Sequence, residues 1–267
     1  ICAVFNHVPS RILHSHNSKL GKTLFREKRN KLFLPLLRRT VNNYAACSDL
    51  AGRAMFKNEN YIMIPNVINV QKCYFDFERR LEVRSKMKIN EKHIIGTVAR
   101  IDEQKNPFFA IDVFSRVAER CPEVEYWWIG SGNIDDKLSA YIKKCGLSNR
   151  VKLLGKREDM IDLYHAMDLF FLPSLFEGLP ITAVEAQAFG LPCVISASVS
   201  SELVYTDLVE FISLSENADV WADCIINKCD IDKKRRSYTY ELRKSEFSDV
   251  TSERKLLDLY KSTLIKS

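Results

Sequence analysis

The sequence predicts an α/β fold: a parallel sheet with helices on both faces, preceded by a shorter and incomplete α/β segment. Three observations predict it. From Lys92 onward, short apolar runs alternate with helix-length amphipathic segments, the order that parallel strands joined by helical crossovers require. The runs are apolar or small at successive residues, as in residues 94–99, which is how strands covered on both faces read. Gly146 and Gly190 stand where two of the helical segments stop, because glycine takes the left-handed turn there without strain.

The elements follow in order. Residues 11–14 are a candidate strand and 31–43 a candidate helix. Residues 62–69 are an apolar run broken by Pro65-Asn66. Proline biases the preceding Ile64 towards extended backbone, and the run reads as the joint between two domains. Strand one is 94–99. Residues 107–121 follow as a helix, with Pro107 suited to its first position and Ala110, Ile111, Phe114, Val117, Ala118 and Cys121 along one stripe. Strand two is 124–129, and helix two runs near 135–145. Strand three is 151–154, with a helix from about Asp159. Strand four is 169–172, then a helix over 180–189, then strand five at 193–195. A last helix covers roughly 249–264, with Leu256, Leu257, Leu259 and Tyr260. The predicted division is a segment 1–65, a complete sheet domain 66–249, and a C-terminal helix 250–267 that returns to the first segment.

Bulk composition bounds the class. The chain has 267 residues, 46% of them hydrophobic, enough for one large domain or one and a half smaller ones. Its apolar stretches fall far short of the roughly 20 residues that span a bilayer. Eight cysteines form no Cys-x-x-Cys pair, so they read as buried free thiols of a reducing compartment rather than as a zinc site. The formal net charge is +6, and residues 1–50 hold nine basic side chains against Glu27 and Asp49. These are Arg11, Lys19, Lys22, Arg26, Lys28, Arg29, Lys31, Arg38 and Arg39. Two readings stay open: a solvated basic helix face, or a site for an anionic partner such as a membrane surface or a phosphate-bearing acceptor. Nucleic acid is not expected, because no aromatic stacking platforms are interleaved with the charges.

Ligands of an open parallel α/β sheet bind beyond the carboxyl ends of its strands. Followed past their ends, the strands deliver Arg100, then Gly130 and Gly132, then Gly155 to Arg157, then the loop from Pro173 to Gly178, then Ser196. A guanidinium grips two phosphate oxygens and an ammonium adds a movable charge, so Arg100 and Lys105 can neutralise a diphosphate without a metal. As lone side chains they read equally as solvated surface charges. The strongest segment runs from Phe176 to Ala186. Gly178 lets a ligand approach the backbone, and Pro180 starts a helix whose free N–H groups favour anions. Glu177 precedes that helix and Glu185 lies inside it, so the two carboxylates address different parts of one extended ligand. Gly130-Ser131-Gly132 lacks the third glycine of a dinucleotide fingerprint and follows the wrong strand. His14 and His16 flank Ser15 after the first candidate strand, and a structural role for either stays open.

These residues resemble a known family. Glu177 and Glu185, with seven residues between them, resemble the Glu-x7-Glu element of the retaining glycosyltransferases of family 4, of the glycosyl transferases group 1 kind. The text around them is similar too: Leu154-Gly155 and Arg157, Ala166-Met167-Asp168, Leu172-Pro173-Ser174, Glu185-Ala186-Gln187-Ala188 and Gly190-Leu191-Pro192. Ala46-Cys47-Ser48-Asp49 and Ile64-Pro65-Asn66 resemble the end of that family's N-terminal domain and its hinge. The resemblance implies a GT-B fold, with one complete Rossmann-like domain and a partial N-terminal one, because residues 1–65 match only the last third of that domain and the sequence is N-terminally truncated relative to it.

It further implies transfer of a sugar from a nucleotide-diphosphate donor, UDP before GDP, to a glycan or lipid-linked acceptor in polysaccharide biosynthesis, at the cytoplasmic face of the membrane. Neither cofactor nor metal is implied. Arg100 and Lys105 would hold the diphosphate, helped by backbone N–H groups near Gly178 and Leu179 and by the helix start at Pro180. Glu185 would take the ribose, the backbone from Gly155 to Arg157 the base, Glu177 the sugar hydroxyls, and His16 would face the donor from the opposite domain. Two alternatives share the architecture. A nucleotide-sugar epimerase would act without any acceptor, and a non-catalytic binding fragment would hold UDP without turning a donor over.

Overall fold

The computed structural model describes residues 2–17, 20–21, 24–57, 60–89, 92–229 and 235–264. Lys19 and Lys22 of the basic cluster, and the last three residues of the expected C-terminal segment, lie outside the described residues. The first part holds helix α1 (Cys2–Phe5), strand β1 (Ile12–Ser15), helix α2 (Leu24–Thr40), strand β2 (Asn43–Ala46), helix α3 (Asp49–Phe56) and strand β3 (Ile62–Met63). Its strands form a parallel sheet in the order β1-β2-β3. Helix α3 starts where it does because Ser48, in extended backbone, caps it, its Oγ accepting from Ala51 N at 3.1 Å.

Helix α2 corrects the expected span of 31–43. It starts at Leu24, runs through Pro35 and stops at Thr40. Proline removes one helical hydrogen bond, which the helix tolerates here. The stop comes from Asn42, which accepts from Arg11 N at 2.8 Å and donates to Pro9 O at 2.6 Å, turning the chain so that Asn43 enters β2.

The rest comprises α4 (Phe77–Lys86), β4 (His93–Val98), α5 (Pro107–Arg120), β5 (Val124–Ile129), α6 (Asp135–Lys144), β6 (Val151–Gly155), α7 (Met160–Ala166), β7 (Leu169–Leu172), α8 (Ile181–Ala188), β8 (Cys193–Ser196), β9 (Val209–Ile212), α9 (Ala218–Cys229), α10 (Thr239–Lys244) and α11 (Asp249–Leu264). The strands form one parallel sheet in the order β6-β5-β4-β7-β8-β9. The expected strands and helices are all present, within one or two residues at each end. Strand β9 and helices α4, α9 and α10 were not individually legible.

Both faces of this sheet are buried, and its strands show it residue by residue. Ile94, Trp127, Ile129, Phe170, Leu172, Cys193 and Ile195 join one core with side chains of α7 and α8. Their chain neighbours Ile95, Tyr126, Trp128, Leu169, Phe171 and Val194 join the other, with α5, α6 and α9. Alternate residues point to opposite faces, so a strand covered twice must be apolar throughout. Fully burying one such side chain contributes about 1.5–3 kcal/mol.

The chain passes between its two parts twice, side by side. Ile68 N donates to Phe247 O at 3.0 Å, and Leu259 of α11 packs with Ala45, Ile64 and Ile12 of the smaller sheet. Among the described residues no helix is long and apolar enough to cross a membrane.

Candidate functional site

Strand order places the site. Chain order runs outward from β4 to β5 and β6, then returns to β7 on the other side of β4. At such a reversal the loops after the two flanking strands diverge and leave a crevice at the strands' carboxyl ends. The loop after β4 carries Arg100 and Lys105. The loop after β7 carries Glu177 and Gly178.

These loops are joined by charge. Lys105 ends a short 3₁₀ turn, Glu103–Lys105, and its Nζ forms an ion pair with Glu177 Oε1. Both side chains are nearly buried, at 13% and 8% exposure. Gln104 completes the grip: its Nε2 donates to Glu177 Oε2 at 3.2 Å and to Phe176 O at 3.0 Å, while its own carbonyl accepts from Leu175 N at 2.8 Å. Arg100 stays at the surface, with its guanidinium 3.4 Å from Asp102.

Gly178 touches the other part of the molecule. A β-carbon there would lie 2.7 Å from His16 O and 3.5 Å from Asn17 Cα, so glycine is required by the close approach of the segment after β1. His16 is exposed at that approach, and its ring lies 4.1 Å from that of His14. His14 is half-buried and bonded to Ile64 O at 3.1 Å. Burial and the nearby His16 hold His14 below the ordinary histidine range. Asn66, at the joint, reaches across to Leu179 O at 3.4 Å.

Helix α8 begins one residue later than expected. Pro180 precedes its first turn with φ −72°, and no side chain caps that turn. Ala183, Val184, Ala186, Gln187 and Ala188 are buried, leaving Ile181, Thr182 and Glu185 on the partly open face. Glu185 Oε2 accepts from Tyr164 Oη at 2.7 Å. Burial pushes the Glu185 carboxyl up, and the Tyr164 hydrogen bond pulls against it.

After β6, Gly155 takes φ +65° with open space beside it, and its carbonyl accepts from Gly130 N at 2.7 Å. The Arg157 side chain forks onto Asp159, at 2.8 and 2.5 Å. Gly130 and Gly132 serve packing: a β-carbon on Gly132 would sit 2.5 Å from the Ile101 carbonyl carbon. A cavity of about 370 Å³, lined by Cys47, Met63, Pro65, Glu202, Tyr205 and Phe247 among others, shares Leu179 with the site but none of the other expected residues.

The structure thus brings Lys105, Glu177, Gly178 and His16 together, and sets Glu185 on the open face of the adjoining helix. Gln104 and Tyr164 were missed as site residues. Gln104 is the neighbour of Lys105 in the sequence, but nothing local tells which way an amide points. Tyr164 lies inside a helix, where a tyrosine by itself signals no ligand.

Comparison with known proteins bears on the family and the fold. The profile of the family described as Glycosyl transferases group 1 matches residues 79–245. A putative glycosyltransferase of Bacillus subtilis, EpsF, is 33% identical over 245 residues, which is 88% of this chain and 63% of the relative. The Escherichia coli UDP-Gal:alpha-D-GlcNAc-diphosphoundecaprenol alpha-1,3-galactosyltransferase is 35% identical over 106 residues, 39% of this chain and 27% of that protein. The chain therefore spans less than two thirds of either relative. Among solved structures, Anabaena Alr3699/HepE in complex with UDP superposes with a TM-score of 0.81 at 22% identity, covering 98% of this chain and 74% of that one. That likeness shows the fold, the GT-B arrangement of parallel-sheet domains. Matched over more than half its length by the family profile, the chain belongs to the glycosyl transferases group 1 family of sugar-transferring enzymes.

Proposed function

We propose that this chain is the donor-binding part of a retaining glycosyltransferase that moves a sugar from a UDP-sugar to a glycan or lipid-linked acceptor in polysaccharide biosynthesis. The observation that carries the reading is the Lys105–Glu177 pair, nearly buried at the strand-order reversal and touching the His16 segment through Gly178. UDP is preferred to GDP because the HepE structures hold UDP and UDP-glucose and the Escherichia coli relative is named for UDP-Gal. Residues 1–65 then belong to the acceptor-side domain, 66–249 to the donor domain, and 250–267 to the returning helix.

The roles follow from chemistry. Departure of the nucleotide leaves growing negative charge on the diphosphate, and fixed cations and N–H groups aimed there lower the barrier. Arg100, Lys105 and the N–H groups around Gly178, Leu179 and the α8 start at Pro180 supply them. No metal takes part. Glu185 holds the ribose hydroxyls and the backbone from Gly155 to Arg157 the base. Glu177 orients the sugar hydroxyls and stabilises positive charge on the ring, and His16 hydrogen-bonds the donor sugar or phosphate. The pair keeps Lys105 at the crevice before any donor arrives.

Titration calorimetry tests the phosphate assignment. Arg100→Ala is expected to weaken UDP binding roughly tenfold, the size of one charge-assisted hydrogen bond lost, and a chelator is expected to change nothing. Parental affinity in Arg100→Ala would sink the assignment of that guanidinium. Affinity that collapses with chelator would sink the metal-free one.

The second part of the reading is a cytoplasmic place at the membrane surface. Helix α2 exposes Leu24, Phe25, Leu32, Phe33, Leu36 and Leu37 beside Arg26, Lys28, Arg29, Lys31, Arg38 and Arg39. Each basic side chain near an anionic leaflet contributes about 1 kcal/mol, and salt screens it. In sedimentation with liposomes the protein should favour anionic over neutral vesicles and lose that preference at high salt. Equal, salt-insensitive partitioning would rule the docking out.

A further inference from the structure

Two carboxylates of the Glu-x7-Glu element are treated differently by the fold. Glu177 has a cation and an amide. Glu185 forms no ion pair among the described residues, although it is more buried than exposed. Its one protein donor is the Tyr164 hydroxyl, at 2.7 Å to Oε2, and Oε1 has no protein donor among the described residues. A carboxylate can accept about four hydrogen bonds, and leaving it short of donors in a partly dry site is costly. The missing donors must therefore come from whatever occupies the open face of α8.

Tyr164 is itself held with little freedom. Its ring is 1% exposed and stacks on Phe189, centroids 5.0 Å apart and planes 16° from parallel. The backbone on both sides is pinned by one buried guanidinium: Arg235 donates to Tyr164 O at 2.7 Å, to Met167 O at 2.7 Å and to Phe189 O at 2.8 Å. Arg235 in turn lies over the Phe75 ring, 4.2 Å from its centroid. The hydroxyl thus approaches Glu185 from a fixed point and engages Oε2 alone of its two carboxylate oxygens, with the Thr182 carbonyl as a longer second acceptor at 3.3 Å.

We propose that Tyr164 is a positioning residue, whose hydroxyl occupies Glu185 Oε2 so that Oε1 meets the paired hydroxyls of a nucleotide ribose and the site prefers ribose to deoxyribose. This rests on the reading of Glu185 as the ribose ligand. The groups facing Glu185 are consistent with it. Tyr164 comes from α7, Cys73 from the turn before α4, and Tyr205 from the segment after β8. Burial pushes the Cys73 thiol up to about 12 and the Tyr164 hydroxyl well above its ordinary range. All three neighbours are neutral near pH 7, and no cation among the described residues pairs with the carboxylate. Burial raises Glu185 and the Tyr164 bond lowers it. Removing that hydroxyl therefore raises Glu185 further, and its protonation sets in at higher pH.

The test is calorimetry with UDP and 2′,3′-dideoxy-UDP, across pH 5 to 8, on the parent, Tyr164→Phe and Glu185→Gln. The parent should prefer UDP by roughly tenfold or more, the ratio that a hydrogen-bonded charge commands. Both variants should fall to about threefold or less. In Tyr164→Phe the remaining preference should fade on acidification at a higher pH than in the parent, a shift that a merely structural tyrosine would not cause. Tyr164→Met provides a second hydroxyl-free chain should the first not fold, and must lose the preference equally. If Glu185→Gln loses the preference while the hydroxyl-free chain keeps both it and the parental pH profile, the positioning role is overturned and the ribose reading stands. If Glu185→Gln keeps the preference, or the parent binds neither nucleotide, the ribose reading fails and takes this inference with it.

Discussion

Lys105→Ala is expected to lower stability and UDP affinity together, while Lys105→Met combined with Glu177→Gln recovers the first and not the second. The ammonium and carboxylate pair across 72 residues of chain, with side chains only 13% and 8% exposed. Removing one partner of such a pair leaves the other charge buried and unpaired, at a cost of about 3 kcal/mol. For a chain of this size that is roughly 6–12 °C in the melting midpoint. Replacing both partners by neutral side chains of similar length avoids the stranded charge, so the midpoint should return most of the way. Affinity should not return, because under the proposed reading the diphosphate has lost a cation in either variant. A loss of about tenfold or more is expected in both. A parental midpoint in Lys105→Ala would show that the pair contributes no stability. Parental affinity in the double variant would remove Lys105 from the phosphate site while leaving Arg100 to carry it.

Gly132→Ala should be strongly destabilising. The loop after β5 runs directly over the loop after β4. A β-carbon on Gly132 would fall 2.5 Å from the Ile101 carbonyl carbon and 2.8 Å from Ile101 N. The obstacle is backbone rather than the end of a flexible side chain, so it can yield only by moving the segment that carries Arg100 and Lys105. Overpacking of this kind costs about 3 kcal/mol. Gly146→Ala is the control: its φ of +71° strains any other residue, but nothing lies within 4 Å of the new atom. That strain is worth about 1 kcal/mol. Thermal melts should therefore rank Gly132→Ala well below Gly146→Ala, and Gly146→Ala below the parent. The reverse order would mean that the two loops are not packed as described. If Gly132 instead served a bound nucleotide, its substitution would spare the midpoint and reduce binding alone.

The lines between sequence and tertiary structure are drawn by distance along the chain. Period and punctuation are local properties, and they were enough for the larger sheet. Residues 94–98, 124–129, 169–172 and 193–195 are apolar or small nearly without interruption because helices cover both faces of their strands, whereas the edge strand at 151–154 is buried only at Val151. Gly146 and Gly190 take φ values of +71° and +69°, as expected of helix stops. Strand β9 was less visible. It lies at the sheet edge with the pattern half-buried, exposed, half-buried, buried, so only part of it must be apolar. Helix α2 was misjudged because its apolar residues stay exposed, and no packed stripe marked its start.

The Phe176 to Ala186 segment could likewise be singled out from its own residues, since a glycine, a proline and two carboxylates around a helix start are neighbours in sequence. What the sequence by itself determined is therefore the class of fold, the order of its elements and the rim on which ligand chemistry gathers. Only the tertiary structure decided that Lys105 pairs with Glu177, that Gln104 shares the grip, that Tyr164 rather than a cation meets Glu185, and that Gly178 is glycine because His16 passes beside it. Each of these is a contact between segments that are distant in the chain and adjacent only in the folded molecule. Side-chain direction there is set by packing against distant neighbours, which no local period records.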